Sequence, residues 1–324
     1  MKLSCPLTKT DVILSLMNYT DLQLRNILND IVSMGKIASG CDTSLEARGV
    51  LRLVTEGKLS DRQALELILK LHNLEPKDEV LDSSGSSYFI SNTHTLQNKL
   101  GITSAEKLES VANEVSEAMS VLIKAMPFLR VNWDVAFYKD LHKTLLGQVY
   151  SWAGEYRTVD IGISYDKVMY ESLDTGLDKI EEVFSWLDRE FFEEPDGVKK
   201  LKTVDFGTKI NTLARAFGTL KCLQPFRDGN TRTALLFTSI LASNWKVALD
   251  FSQVTKDEDS LEAFGKAQVN FRDNDYDSLI IQFVCLAEPL TDRPELRFPR
   301  VTTSCGKTVL QQIEDMQKAR RLGV

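Results

Sequence analysis

No apolar run in this 324-residue chain approaches the roughly 18 residues that a membrane-spanning helix needs. An excess of positive charge is also missing. The formal net charge is −7, which argues against a nucleic acid or an anionic membrane surface as partner for the chain as a whole. Cysteine is scarce and scattered: Cys5, Cys41, Cys222, Cys285 and Cys305 are odd in number, and none is close to another or to a histidine. That excludes a disulfide framework and a zinc site, and predicts reduced thiols in a cytoplasmic compartment. The first residues, Met1 to Met17, carry two lysines and then Asp11 with no long apolar stretch, so no secretory leader is expected. No internal repeat is visible.

What is present is helical periodicity. Leu24, Ile27, Leu28, Ile31 and Met34 fall at helical spacing after a potential cap at Thr20, with Gly35 as the expected stop. Ser60 with Gln63 forms a capping box ahead of Leu65, Ile68, Leu69 and Leu71, and Thr103 with Glu106 forms another ahead of a helix running to Pro127. Further helices are marked by Trp133, Phe137, Leu141 and Leu145, by Leu177 to Phe191, and by Ile210 to Leu220. The segment Ala234 to Leu241 is nearly all apolar and predicts a buried central helix. His142, on a core helix, reads as structural. From Thr158 to Ser164, Val159, Ile161 and Ile163 alternate with Asp160, Gly162 and Ser164, the pattern of a short strand. The expected fold class is mainly α. An N-terminal helical region (1–75) and a polar linker (76–87) precede a main domain (88–285), and a C-terminal tail with a short helix (286–324) follows.

The most informative stretch is Gln224 to Leu235, reading QPFRDGNTRTAL. A loop with Asp228, Gly229 and Asn230 runs directly into the apolar helix. Helix starts leave backbone N–H groups unspent and carry partial positive charge, so this is the sequence of an anion site. Gly229 would let the backbone approach a ligand. Asp228 could hold a divalent cation, and Arg232 could pair with phosphate oxygens.

These residues resemble the Fic (Fido) family, whose motif reads HPFx(D/E)GNGRxxR. Pro225, Phe226, Asp228, Gly229, Asn230 and Arg232 agree with it. Gln224 stands in place of the family's catalytic histidine, Thr231 in place of its second glycine and Leu235 in place of its second arginine. Three further segments are similar to the family in the same order: LHKTLLGQVYSWAGEYRTV (141–159), LQNKLGIT (96–103) and DNDYDSL (273–279). The likeness covers about residues 88 to 285 and implies a helical fold with a small β-hairpin flap. In family members the histidine acts as general base while AMP passes from ATP to a protein hydroxyl.

Carried onto this chain, the resemblance implies a phosphate site at Gly229, Asn230, Thr231 and Arg232, with Asp228 as the metal ligand. It also implies a flap for a protein target at Val159, Asp160, Ile161, Gly162 and Ile163. A glutamine cannot keep a proton, so ordinary AMP transfer is expected to be lost or much reduced, with Mg²⁺ and ATP or another nucleotide bound weakly. Protein binding through the flap or the N-terminal helices is then the favoured role, whether in the cytoplasm or after delivery into a host cell. The alternative is a transferase with an altered donor or base. Glu46 loosely resembles the glutamate of the family's inhibitory helix, although Asp42 and Ala47 depart from that signature and the expected partner position is Leu235.

Overall fold

The structure is a computed structural model that describes residues 21–74, 88–126, 128–163, 168–169, 179–187, 204–290, 300–302 and 306–321. Its helices are α1 (Asp21–Ser39), α2 (Leu45–Thr55), α3 (Asp61–Leu71), α4 (Ala105–Lys124), α5 (Val135–Leu146), α6 (179–187), α7 (Phe206–Leu223), α8 (Asn230–Asn244), α9 (Glu258–Arg272), α10 (Asp277–Leu286) and α11 (Val309–Arg321). A 3₁₀ turn covers Phe251–Gln253. The expected cap at Thr20, the linker 76–87, Pro127, the flap tip Tyr165–Lys167 and both ends of the Leu177–Phe191 helix lie outside the described residues.

Helix α8 is the axis of the fold. It is buried on nearly every face, with Leu235, Leu236, Phe237, Ile240 and Leu241 wholly enclosed. Helices α1, α5 and α7 pack around it. Trp133, Phe137, Tyr138 and Phe184 close edge-on or tilted around Phe237, with ring centroids 5.4–6.0 Å apart. Helices α9 and α10 cover α7 from the far side, through Phe264 and Phe283 against Phe217.

The mainly α reading holds, with the antiparallel hairpin where it was expected. There Gly162 pairs with Met169 and Ile163 with Val168, so the strand is shorter than the alternation from 158 to 164 implied. Two further strand pairs were not foreseen. Val247–Leu249 runs antiparallel to Ala287–Pro289, and Phe128–Arg130 runs parallel to Arg300–Thr302 in the tail.

The capping box at Ser60 and Gln63 forms as read. The one at Thr103 does not, because Ser104 is the N-cap and its hydroxyl accepts from Lys107 N. Thr103 instead gives its carbonyl to the Thr95 hydroxyl (2.7 Å). Gly35 does not end α1 either, and the helix runs on to Ser39 before Gly40 turns left-handed. A Cβ on Gly35 would sit 2.1 Å from Glu117 Oε1, so this glycine lets α1 lie against α4.

Helices α1 to α3 pack against α4 through polar as well as apolar contacts. Lys124 of α4 meets Asp30 of α1 in a buried ion pair, and the other Asp30 oxygen accepts from Phe251 N (2.9 Å). Glu114 accepts from the Ser44 hydroxyl (2.7 Å) and bonds His72 Nε2 (2.8 Å). Glu117 accepts from the Thr43 hydroxyl (2.8 Å), and burial pushes its carboxyl up to about 8.

Candidate functional site

Helix α7 is capped at its start by Asp205, which accepts from Thr208 N, and ends at Gln224 in the left-handed region (φ 46°, ψ 59°). This residue type seldom adopts that conformation, and the helix end turns sharply there into the loop. The Gln224 side chain folds back so that its Nε2 donates to Lys221 O at 2.7 Å, and the residue is only 8% exposed. The amide at the expected base position therefore satisfies a carbonyl of its own helix.

Three side chains hold the loop that follows. Arg157, nearly fully buried, donates through Nε to Gln224 O (2.8 Å) and through its backbone N–H to Pro225 O (2.9 Å). Its Nη1 also reaches Val159 O (2.8 Å), which ties the loop to the start of the flap.

Asn230 accepts from Phe226 N at Oδ1 and donates to Phe226 O through Nδ2, both at 2.8 Å. Its side chain is thus spent inside the loop, and only its backbone N–H remains for a ligand.

His142 stacks face to face on Phe226 with centroids 3.8 Å apart. Its Nδ1 accepts from Gly154 N (2.8 Å), so the ring proton sits on Nε2, which donates to Asp228 O (2.9 Å). Burial lowers its pKa to about 4, so the ring is neutral at physiological pH. Both nitrogens are engaged by backbone groups. His142 is a brace under the loop, which matches its structural reading.

Gly229 is left-handed (φ 75°), and a Cβ there would lie 2.1 Å from Leu146 Cδ1 and 3.3 Å from His142 Nε2. On the side where a Cβ would stand, the glycine permits close packing on α5. Helix α8 then begins with no side-chain cap; its first backbone acceptance is by Gly229 O from Thr233 N (3.0 Å). The leading N–H groups at Asn230, Thr231 and Arg232 are the unspent donors that an anion would meet.

Arg232 is 6% exposed and the only charged residue of α8. One guanidinium nitrogen, Nη2, contacts Glu109 of α4. Its Nε and Nη1 are buried without a partner among the described residues. Burial works against its charge, but Glu109 and Asp228 outweigh it and hold the group protonated. Glu109 itself is raised above the usual carboxylate range, first by burial and then by Asp228, despite the opposing pull of Arg232. Asp228 is half-buried and accepts from the Tyr150 hydroxyl at Oδ2 (3.0 Å). Burial and the Asp228 charge raise the pKa of Tyr150, so it stays a donor. Thr231 is half-buried at the helix start, whereas Leu235 lies in the apolar core at 0% exposure.

The structure thus gathers Gln224, Asp228, Gly229, Asn230, Thr231 and Arg232 around one helix start. Val159 and Asp160, ahead of the hairpin, join them through Arg157, whose Nη1 is 3.5 Å from Asp160 Oδ1. Glu46 is exposed in the first turn of α2, where it suits the helix dipole. The carboxylate that does reach Arg232, Glu109, carries no signal in the sequence beyond a charge near a helix start. Tyr150 and Arg157 were likewise not singled out. Among the described residues no group of three or more histidine, cysteine, aspartate or glutamate side chains could hold a metal, and no helix is long and apolar enough to cross a membrane.

Residues 132–242 match the Fic/DOC family. A protein adenylyltransferase of Bartonella henselae is 31% identical over 180 residues, 52% of this chain and 32% of its own length. Protein adenylyltransferase VbhT of Bartonella schoenbuchensis is 28% identical over 181 residues, 55% of this chain and 35% of its own length. The chain therefore spans about a third of the curated relatives it matches. Among solved structures, the BepC protein of Bartonella tribocorum with bound AMPPNP superposes with a TM-score of 0.53 at 20% identity, covering 63% of this chain and 97% of that one. The N-terminal Fic domain of a Bartonella quintana effector with bound ADP gives 0.53 at 22%, covering 63% and 96%.

Proposed function

The chain is a Fic-family protein, and from that premise we propose that it is a nucleotide-site Fic domain that has lost its general base and acts chiefly by binding a protein partner. The observation that carries this reading is Gln224. An amide has no lone pair with a pKa near neutrality, and this one is already bonded to Lys221 O. The one imidazole beside the loop, His142, has both nitrogens committed to backbone groups.

The remaining residues fit a phosphate. Unspent N–H groups, a protonated Arg232 with two orphaned nitrogens, and a helix start all favour an anion. Asp228, whose Oδ2 accepts from Tyr150, would be the carboxylate to hold a magnesium ion, which would offset the charge of a bound phosphate. Once bound, Mg²⁺-ATP would supply the activated phosphate. The chain's own residues would orient it from the helix start and leave the attacking hydroxyl without a proton acceptor. Leu235 provides no second positive charge, so binding is expected to be weak. The protein partner would lie along the flap, by strand addition near Gly162 and Ile163.

The survival of Asp228, Gly229 and Arg232 around an open helix start favours a second reading, a transferase slowed by roughly 10²–10⁴-fold through loss of its base. Incorporation of labelled AMP from ATP separates the two. In the binding reading, wild type is silent and Gln224→His gains measurable labelling of itself or of lysate proteins. Wild type labelling as fast as Gln224→His would overturn the assignment of Gln224 as the lost base.

A further inference from the structure

The contact between Arg232 and Glu109 belongs to no motif and joins two helices far apart in sequence. Arg232 is the third residue of α8, so its guanidinium belongs to the same helix start as the unspent N–H groups. A guanidinium offers five donors in a planar fork suited to two-oxygen ligands. Here one nitrogen meets Glu109, while Nε and Nη1 are buried without acceptors among the described residues. That is an incomplete set of bonds around a buried charge, and a phosphate carries oxygens enough to complete it.

Glu109 is poorly held by comparison with the other ionic contact made by α4. In the Lys124–Asp30 pair both side chains are buried, and Asp30 has a second bond to Phe251 N. The Glu109 side chain is 37% exposed near the solvent end of α4, and its one recorded contact is with Arg232. The charge of Asp228 acts on both groups, favouring the charged guanidinium and disfavouring a charged Glu109. Two carboxylates thus act on one arginine, and Glu109, the one in contact with it, keeps part of its side chain open to water.

We infer that Glu109 occupies, in the ligand-free protein, the place on Arg232 that a ligand phosphate takes, so that binding exchanges the carboxylate for a phosphate oxygen. The inference rests on reading the helix start as a nucleotide site. It gives α4, the helix that also carries the contacts to α1–α3, a direct hold on the occupancy of that site.

The test is calorimetric titration of wild type, Glu109→Gln and Glu109→Ala with Mg²⁺-ATP and, separately, with inorganic pyrophosphate. Glu106→Gln, an exposed change one turn earlier on α4, is the control. Thermal melts with and without pyrophosphate show that each variant is folded. Exchange predicts that both Glu109 variants bind either ligand more tightly than wild type, on the order of tenfold. Glu106→Gln should match wild type, and adding Arg232→Ala should abolish the gain. Unchanged or weaker binding in Glu109→Gln would overturn the inference, as would a gain that survives Arg232→Ala. Tighter pyrophosphate binding without ATP binding in any variant would support the exchange and overturn the nucleotide reading. No binding of either ligand to any variant would overturn both.

Discussion

The side-chain amide of Asn230 pairs with both backbone polar groups of Phe226, at 2.8 Å each, and so closes the loop between α7 and α8 on itself. The two residues together act like one rung of a β-ladder, built from a side chain. Phe226 is fully buried, so its N–H and C=O have no water to fall back on. Asn230→Ala would orphan both, at about 1–3 kcal/mol each. The expected loss in urea unfolding is about 2–5 kcal/mol, and Asn230→Asp, which keeps the acceptor alone, should fall between.

Gly229→Ala is expected to be damaging on a similar scale. The new methyl meets Leu146 Cδ1 and forces an alanine into a left-handed backbone. Overpacking costs about 1–3 kcal/mol, and the backbone adds about 1. Gly229→Ala with Leu146→Ala should recover the steric part and leave the conformational part, which a double-mutant cycle on unfolding free energies would resolve.

His142 makes stability depend on acid. Its folded pKa, about 4, lies below the unfolded value near 6.5, so protonation favours the unfolded chain. The contribution is intact above pH 6.5 and is lost as pH falls from 6.5 toward 4, reaching on the order of 3 kcal/mol. Compared with His142→Gln, the wild type should therefore lose stability more steeply over that window in denaturant titrations.

Glu117 works with the opposite sign. Its folded pKa of about 8 lies above the usual 4.5, so the native state keeps a proton that the unfolded state gives up. Its contribution is whole below pH 4.5 and is lost as pH rises toward 8. Glu117→Gln keeps the neutral shape and should gain on wild type by a few kcal/mol, on the order of the shift, between pH 5 and pH 8. A flat difference across that range would show that Glu117 is ionised in the fold.

Restoring the family's second arginine is expected to fail. Leu235 has no exposure and is ringed by the apolar core. Leu235→Arg would bury an unpaired charge and should cost more than about 4 kcal/mol, read as a collapse of the unfolding midpoint. Gln224→His, at a helix end whose left-handed backbone histidine tolerates, should fold normally.

Much of this was legible in the residues. The apolar run before Leu241, the box at Ser60 and Gln63, and the loop at Asp228 and Gly229 that runs into α8 all depend on neighbours within a few positions, and they formed as read. Gly35 misled because a glycine that ends a helix and one that admits a neighbouring helix look alike in one dimension. The parallel pairing of Phe128–Arg130 with Arg300–Thr302 and the contact of Glu109 with Arg232 join segments more than a hundred residues apart. No local pattern encodes either. At the loop from Gln224 to Arg232, the sequence did not show what the side chains are free to do: Asn230 and Gln224 are both engaged by backbone groups.

The Asp30–Lys124 pair has a consequence for how the chain comes apart. Asp30 clasps α4 with one oxygen and the 3₁₀ turn at Phe251 with the other, so α1 is stitched to two distant parts of the main body. Cutting the chain between residues 74 and 88 and removing the front piece would take Asp30 from Lys124 and from Phe251 N, and would uncover the face of α4 on which Gly35 packs. The two pieces should then stay associated after a nick and melt together in a single transition, as halves of one cooperative unit rather than as a module and its appendage.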